Sequence, residues 1–272
     1  MHVDATAPLE LVSLVGCGVA TRVGAVRNSA RVEAGSTVVV LGCGGVGLSV
    51  VQGARLAGAA RIVAVDLRPD KTALARTLGA TDVVDASAAD TVEAVRELLP
   101  DGADYAFDAI GGRALTEQCV AVLGMGGAAV VVGIPPAGVR ATFDPGTLVA
   151  MEQRILGSNY GGIDPARDIP RLVEEYLAGD LLLDELVSRR RPLDEVAASL
   201  DDLATGATLR QLLIPLARRP PRVRPAGRCG AGPGRPRRRW RRRPRRRRRA
   251  AGPQTPPGRA RRGRPGSGTR CR

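Results

Sequence analysis

The chain has 272 residues and a formal net charge of +14, but residues 218–272 hold 23 of the 41 basic residues and none of the 27 acidic ones, leaving residues 1–217 with a net charge of −9. A chain of this length holds one or two domains, and the acidic body excludes a basic nucleic-acid-binding surface over those residues. Five scattered cysteines with no C-x-x-C pair exclude a disulfide framework and fit a reducing cytoplasm, and a single histidine, His2, excludes a Ser–His–Asp triad.

The first ten residues carry acids and no basic segment, so no signal peptide is expected. Residues 8–34 begin PLELVSLVGCGVATRVGAV, in which Leu9, Val12, Leu14 and Val15 form a rough helical stripe, followed by a segment of small residues. The apolar run near residues 11–20 is glycine-broken and shorter than the roughly 18 apolar residues of a membrane span, so no membrane partner is expected.

A regular alternation follows. STVVVLG (36–42) reads as a strand, 45–58 as a helix, RIVAVD (61–66) as a strand and 69–79 as a helix. DVVD (82–85) is a short strand, 89–99 a helix, ADYAFDAIG (103–111) a strand and 113–123 a helix. Residues 126–136 form a strand stopped by two prolines, and RILGSNYGG (154–162) a sixth strand. Strands alternating with helices of this length predict βαβ units and an α/β fold, a doubly wound parallel Rossmann sheet. Beyond it lie a helix (164–179), a strand-like LLLDELV (181–187), a helix (192–206) and a last strand (207–216).

The first strand runs into Gly42-x-Gly44-x-x-Gly47, and the second ends on Asp66, 19 residues after Gly47. This is the dinucleotide-binding fingerprint in its full strand–turn–helix context. Gly42 permits the tight turn, Gly44 lets backbone approach a pyrophosphate, and Gly47 lets the helix pack close to its strand. The helix N-terminus offers N–H groups and partial positive charge to the phosphates. An acid about 20 residues on binds the adenosine ribose 2′-OH. Its carboxylate repels a 2′-phosphate, so NAD is expected rather than NADP.

PLELVSLVGCGVAT, VVVLGCGGVGLSVVQGARLAGAARIVAVDLRPDK, DYAFDAIG, VVVGIPP, ILGSNYGG, DELVSRRRPLDEV and LRQLLIP together resemble the second half of zinc-dependent medium-chain alcohol dehydrogenases. The resemblance covers about three quarters of the chain, in order. It is strongest to the class of glutathione- or mycothiol-linked formaldehyde dehydrogenases and related bacterial alcohol dehydrogenases. It implies an NAD-dependent enzyme oxidising a small alcohol or reducing an aldehyde, free or thiol-conjugated, with zinc as the second cofactor. It also implies homo-oligomers formed through the edge of the Rossmann sheet. The family's N-terminal half, with a Cys and a His ligand of the catalytic zinc, has no counterpart here; the third ligand matches Cys17. A catalytically inactive NAD-binding fragment is therefore the alternative.

The resemblance assigns further roles. Thr21 matches a threonine beside the nicotinamide, although the glycine that usually follows is Arg22 here. Gly45 belongs to the phosphate turn, and Val46 lies under the nicotinamide or is simply a core valine. Lys71, the only lysine, joins Asp66 at the ribose or is a solvated helix charge. Leu67 and Ile110 form the adenine walls or end their strands as core. Ile134 lies at a strand end, and backbone groups near Val132, Ser158 and Tyr160 bind the carboxamide. Tyr160 is alternatively an edge-strand aromatic at a subunit interface. Arg210 contacts the pyrophosphate through bidentate hydrogen bonds. Cys43 carries no expected chemistry, and Cys119 is expected in the core.

The expected divisions are a catalytic-domain remnant (1–34), the NAD-binding domain (35–162), the last Rossmann helix with the C-terminal part of the catalytic domain (163–217), and a disordered Arg/Pro/Gly-rich tail (218–272). The tail either binds nucleic acid through its arginines, with Trp240 stacking on a base, or is GC-rich DNA read past a frame change. Met1 is correspondingly expected to be an internal start.

Overall fold

The computed structural model of the chain describes residues 3–206 and 208–215. His2, Cys229, Trp240, Cys271 and the remaining tail lie outside the described residues, as do the expectations attached to them. Six parallel strands, β1 (Thr37–Leu41), β2 (Arg61–Asp66), β3 (Asp82–Asp85), β4 (Ala103–Asp108), β5 (Leu123–Val131) and β6 (Arg154–Gly157), form one sheet in the order β3-β2-β1-β4-β5-β6. This is the expected doubly wound sheet, with its order reversing between β1 and β4.

Both faces of the sheet are covered, which is why its central strands are apolar throughout. In β1 the alternation sends Val38 and Val40 into one core and Val39 and Leu41 into the other. The first core contains residues of α1 (Leu9–Ala30), α2 (Gly47–Leu56), α3 (Pro69–Thr77) and α7 (Pro165–Leu177). The second contains Val95 of α4 (Thr91–Leu98) and Cys119 of α5 (Arg113–Ala121), the buried position expected of that cysteine. A short α6 (Pro145–Ala150), capped by the Asp144 carboxylate, was not foreseen.

Three expectations are corrected. The segment expected to be short and glycine-broken is one 22-residue helix, α1, long and apolar enough by length and composition to cross a membrane. It passes Gly16 and Gly18 in a wide π-helical turn, Val15–Val19, and ends in another, Ala25–Ala30. Leu11, Val15, Val19, Val23 and Val26 are buried in the first core, which accounts for its apolarity.

Of residues 181–187, expected as a strand, only Val187 is in one. Leu181, Leu183 and Leu186 plug the first core, while the Gln52 side chain takes both backbone groups of Leu182, at 2.7 and 2.9 Å. The strand instead spans β7 (Val187–Pro192), which pairs in parallel with β8 (Arg210–Ile214) in a separate two-stranded sheet. Helix α8 (Val196–Ala204) connects them. Finally, β6 stops at Gly157: Tyr160, Gly161 and Gly162 all have positive φ (51°, 65° and 58°), which no strand accommodates. Tyr160 is therefore a turn residue and not part of the edge strand.

Candidate functional site

Register brings the strand ends into line. Leu41 pairs with Val65 and Asp108, Asp108 with Val131, and Val131 with Gly157. The next residues along each strand, Gly42, Asp66, Ala109, Val132 and Ser158, therefore share the carboxyl edge of the sheet. In open α/β sheets ligands bind at that edge, where the strand order reverses.

The glycine turn closes there. Gly42 has φ of 94°, and its N–H donates to the Val65 carbonyl at 2.8 Å. Gly47 begins α2 so near the turn that a Cβ on it would overlap the Gly42 carbonyl oxygen. Gly44 has the opposite surroundings: a Cβ there meets nothing within 4 Å, so this side of the turn is open. A Cβ on Gly45 would lie 2.7 Å from Nε of Arg210, whose guanidinium rests against the turn. Burial, and then the neighbouring charge of Arg22, pull the Arg210 pKa below its ordinary value.

Asp66 binds the turn directly. Its carboxylate accepts the Cys43 N–H at 2.7 Å and the Arg68 N–H at 3.0 Å. Cys43 itself is buried, and burial followed by the Asp66 charge pushes its thiol up to about 12, which leaves it protonated and inert.

Two hollows flank the turn and meet at Ile110. One, of about 450 Å³, is lined by Gly42, Asp66, Leu67, Lys71 and Ile110. Leu67 and Ile110 are both exposed, so they are not the core residues of the alternative reading. The other hollow, of about 720 Å³, is lined by Cys17, Thr21, Arg22, Val46, Ile110, Val132, Ile134, Ser158 and Tyr160. Every expected site residue thus lines one of the two hollows or belongs to the turn, with Arg210 resting against it.

Within the larger hollow, Cys17 is exposed, with its Sγ 3.8 Å from Thr21 Oγ1. The Tyr160 hydroxyl donates to the Gly16 carbonyl, and the Ser158 hydroxyl lies 2.9 Å from that of Ser29. Both contacts fasten the turn after β6 to α1. Arg22 does not block the cleft: its Nη1 donates to the carbonyls of Cys17 and Gly18 at 3.1 and 3.0 Å, so the side chain folds back on α1.

Asp108 was not singled out from sequence. It is fully buried at the end of β4, where Oδ1 accepts the N–H groups of Ile110 and Gly111 and Oδ2 the Thr116 hydroxyl. It shapes the loop on which the two hollows meet. The signal was present in FDAIGG, an acid at a strand end followed by glycines free to turn. Gly111 has φ of 87° and packs directly on Gly133, where neither position has room for a side chain.

Comparison with known proteins places these features. Residues 45–178 match the zinc-binding dehydrogenase family. That segment belongs to the family. The chain is 41% identical over 207 residues to the Schizosaccharomyces pombe protein named probable S-(hydroxymethyl)glutathione dehydrogenase 1, covering 75% of this chain and 54% of that protein. It is 38% identical over 213 residues to alcohol dehydrogenase class-3 of Myxine glutinosa, covering 76% and 56%. The crystal structure of benzyl alcohol dehydrogenase from Acinetobacter calcoaceticus superposes with a TM-score of 0.76 at 35% identity, over 78% of this chain and 59% of that one. The chain therefore spans little more than half the length of the curated relatives it matches.

A dinucleotide fits the residues present: the turn is open over Gly44, a carboxylate stands at the second strand, and exposed apolar walls flank it. Zinc does not. A zinc site needs three or four ligands, and among the described residues no cluster of three His, Cys, Asp or Glu side chains joins Cys17.

Proposed function

We propose that this chain is the cofactor-binding half of an NAD-dependent, zinc-type alcohol dehydrogenase, and that its sheet edge holds NAD. The observation that carries the reading is the Asp66 carboxylate, hydrogen-bonded to the glycine turn beside a hollow with apolar walls. The adenosine half would occupy the smaller hollow, with Asp66 and Lys71 at the ribose and Leu67 and Ile110 against the base. The diphosphate would cross the turn at Gly44 and Gly45 beside Arg210. The nicotinamide would enter the larger hollow over Val46, near Thr21, Ile134 and the backbone at Val132, Ser158 and Tyr160. When bound, the nicotinamide supplies hydride acceptance or donation, and the protein supplies orientation.

In this reading residues 35–162 are the nucleotide-binding domain. The substrate is a small alcohol or aldehyde; the name of the Myxine glutinosa relative supports the alcohol class, and that of the Schizosaccharomyces pombe relative the thiol-conjugated class. We infer a soluble, cytoplasmic protein that pairs through its sheet edge. A second reading, NAD binding without turnover, is favoured by Cys17 having no cluster of further ligand-type side chains among the described residues, where zinc needs several.

Gly44→Val tests the cleft. The added side chain meets open space, so the fold is kept, while the space the diphosphate needs is filled. NADH fluorescence titration should show saturable binding by the wild type and at least a hundredfold weaker binding by the variant. Equal affinities would refute the assignment. NADH formation from alcohols with added zinc separates the two readings: turnover supports the enzyme, and binding without turnover supports the fragment.

A further inference from the structure

Two guanidinium groups meet at Gly18 of α1, and one of them, that of Arg210, also rests against the glycine turn. Arg22 and Arg210 approach Gly18 from different elements. Arg22 Nη1 donates to the Gly18 carbonyl at 3.0 Å, and a Cβ on Gly18 would lie 3.4 Å from Arg210 Nη2. Arg210 also abuts Gly45, and Arg22 and Val46 both line the larger hollow.

Among the described residues, neither arginine forms an ion pair. Arg22 Nε is buried with no hydrogen-bond partner. The Arg22 charge is one of the two influences pulling the Arg210 pKa down. Two like charges held together in a partly buried place are unfavourable until an anion joins them.

We propose that Arg22 is a further binding residue of the cleft, forming with Arg210 a two-guanidinium site for the diphosphate of the dinucleotide. This inference rests on the dinucleotide reading above and adds a residue to it. A diphosphate carries two negative charges and several acceptor oxygens, matching two forked donors in number and sign. Arg22 enters the site from the side of Cys17 and Thr21, where the nicotinamide end of the diphosphate would lie. Its two bonds to α1 carbonyls hold the guanidinium in place before the ligand arrives.

The test is NADH titration of the full chain at three ionic strengths, with the wild type, Arg22→Gln and Arg22→Lys. A charge-assisted contact of this class corresponds to roughly tenfold in affinity. Arg22→Gln should therefore bind NADH about tenfold more weakly, with a visibly shallower salt dependence. Arg22→Lys should keep most of the wild-type salt dependence, because it keeps the charge. Wild-type affinity in Arg22→Gln would overturn the proposal. So would weaker binding with an unchanged salt dependence, which would reduce Arg22 to a brace for the Cys17 and Gly18 carbonyls. A wild-type chain that fails to bind NADH at any ionic strength would overturn the dinucleotide reading itself, a failure distinguishable from both.

Discussion

Gly47 and Gly44 sit three residues apart and are glycine for opposite reasons. At Gly47 a single added carbon collides with the backbone of Gly42, and neither the strand end nor the helix start can shift without moving the sheet. Gly47→Ala should destabilise the fold by about 3 kcal/mol, at the upper end of overpacking costs, measured by urea unfolding. At Gly44 the same carbon meets empty space, so the cost of a side chain falls on binding. This contrast was legible in the sequence, because the fingerprint gives each glycine a distinct task. The state of the cysteines was legible only in part. Cys17 is exposed, whereas Cys43 and Cys119 are buried with thiols raised chiefly by burial. Brief alkylation of the native protein, mapped by peptide mass spectrometry, should label Cys17 and spare Cys43 and Cys119; labelling of Cys43 at a similar rate would contradict its burial.

The parallel strands and most helices followed from alternating apolar runs, because those runs reflect burial on both faces of the sheet. The misses have physical causes. Residues 181–183 have the composition of a strand, but their leucines fill a core gap and their backbone is bonded by Gln52, on a helix 130 residues away. No local pattern reveals that. Glycines usually break helices, yet α1 carries Gly16 and Gly18 through a π-helical turn. Asp108 organises the loop after β4 with three hydrogen bonds, and its removal would leave two N–H donors near the core without partners. Asp108→Ala should cost about 3 kcal/mol and weaken NADH binding as well, since Ile110 would lose its support.

Element ends also set the response to acid. The Arg167 guanidinium beside Asp168 holds its carboxyl below the ordinary value, helped by the Asp164 N–H and Asn28 of α1. A carboxyl lowered in the folded state contributes stability above its unfolded value, near 4, and loses it as the pH falls through the folded value. Urea unfolding at pH 7 and pH 3 should therefore show a larger loss for the wild type than for Asp168→Asn. Equal losses would remove Asp168 from the acid response.

Over the whole molecule, the chain carries a six-stranded parallel sheet and Cys17, the residue matched to a zinc ligand, and it spans little more than half the length of its curated relatives. The proposed function puts cofactor binding at the sheet edge, independent of metal, so a zinc chelator should leave NADH affinity unchanged. The substrate pocket was not legible because much of the larger hollow's wall is open in this chain, and Ile134 on its rim is 91% exposed. The central claim is that Asp66 grips an unphosphorylated ribose. Its most direct measurement is the ratio of NADH to NADPH dissociation constants, taken for the wild type and Asp66→Asn, a change that keeps a hydrogen-bond acceptor and removes the charge. Placing a 2′-phosphate against a carboxylate costs several kcal/mol, so the wild type should favour NADH by about a hundredfold or more, and Asp66→Asn should lose most of that preference. Equal affinity of the wild type for both, or a preference untouched by the substitution, would contradict it.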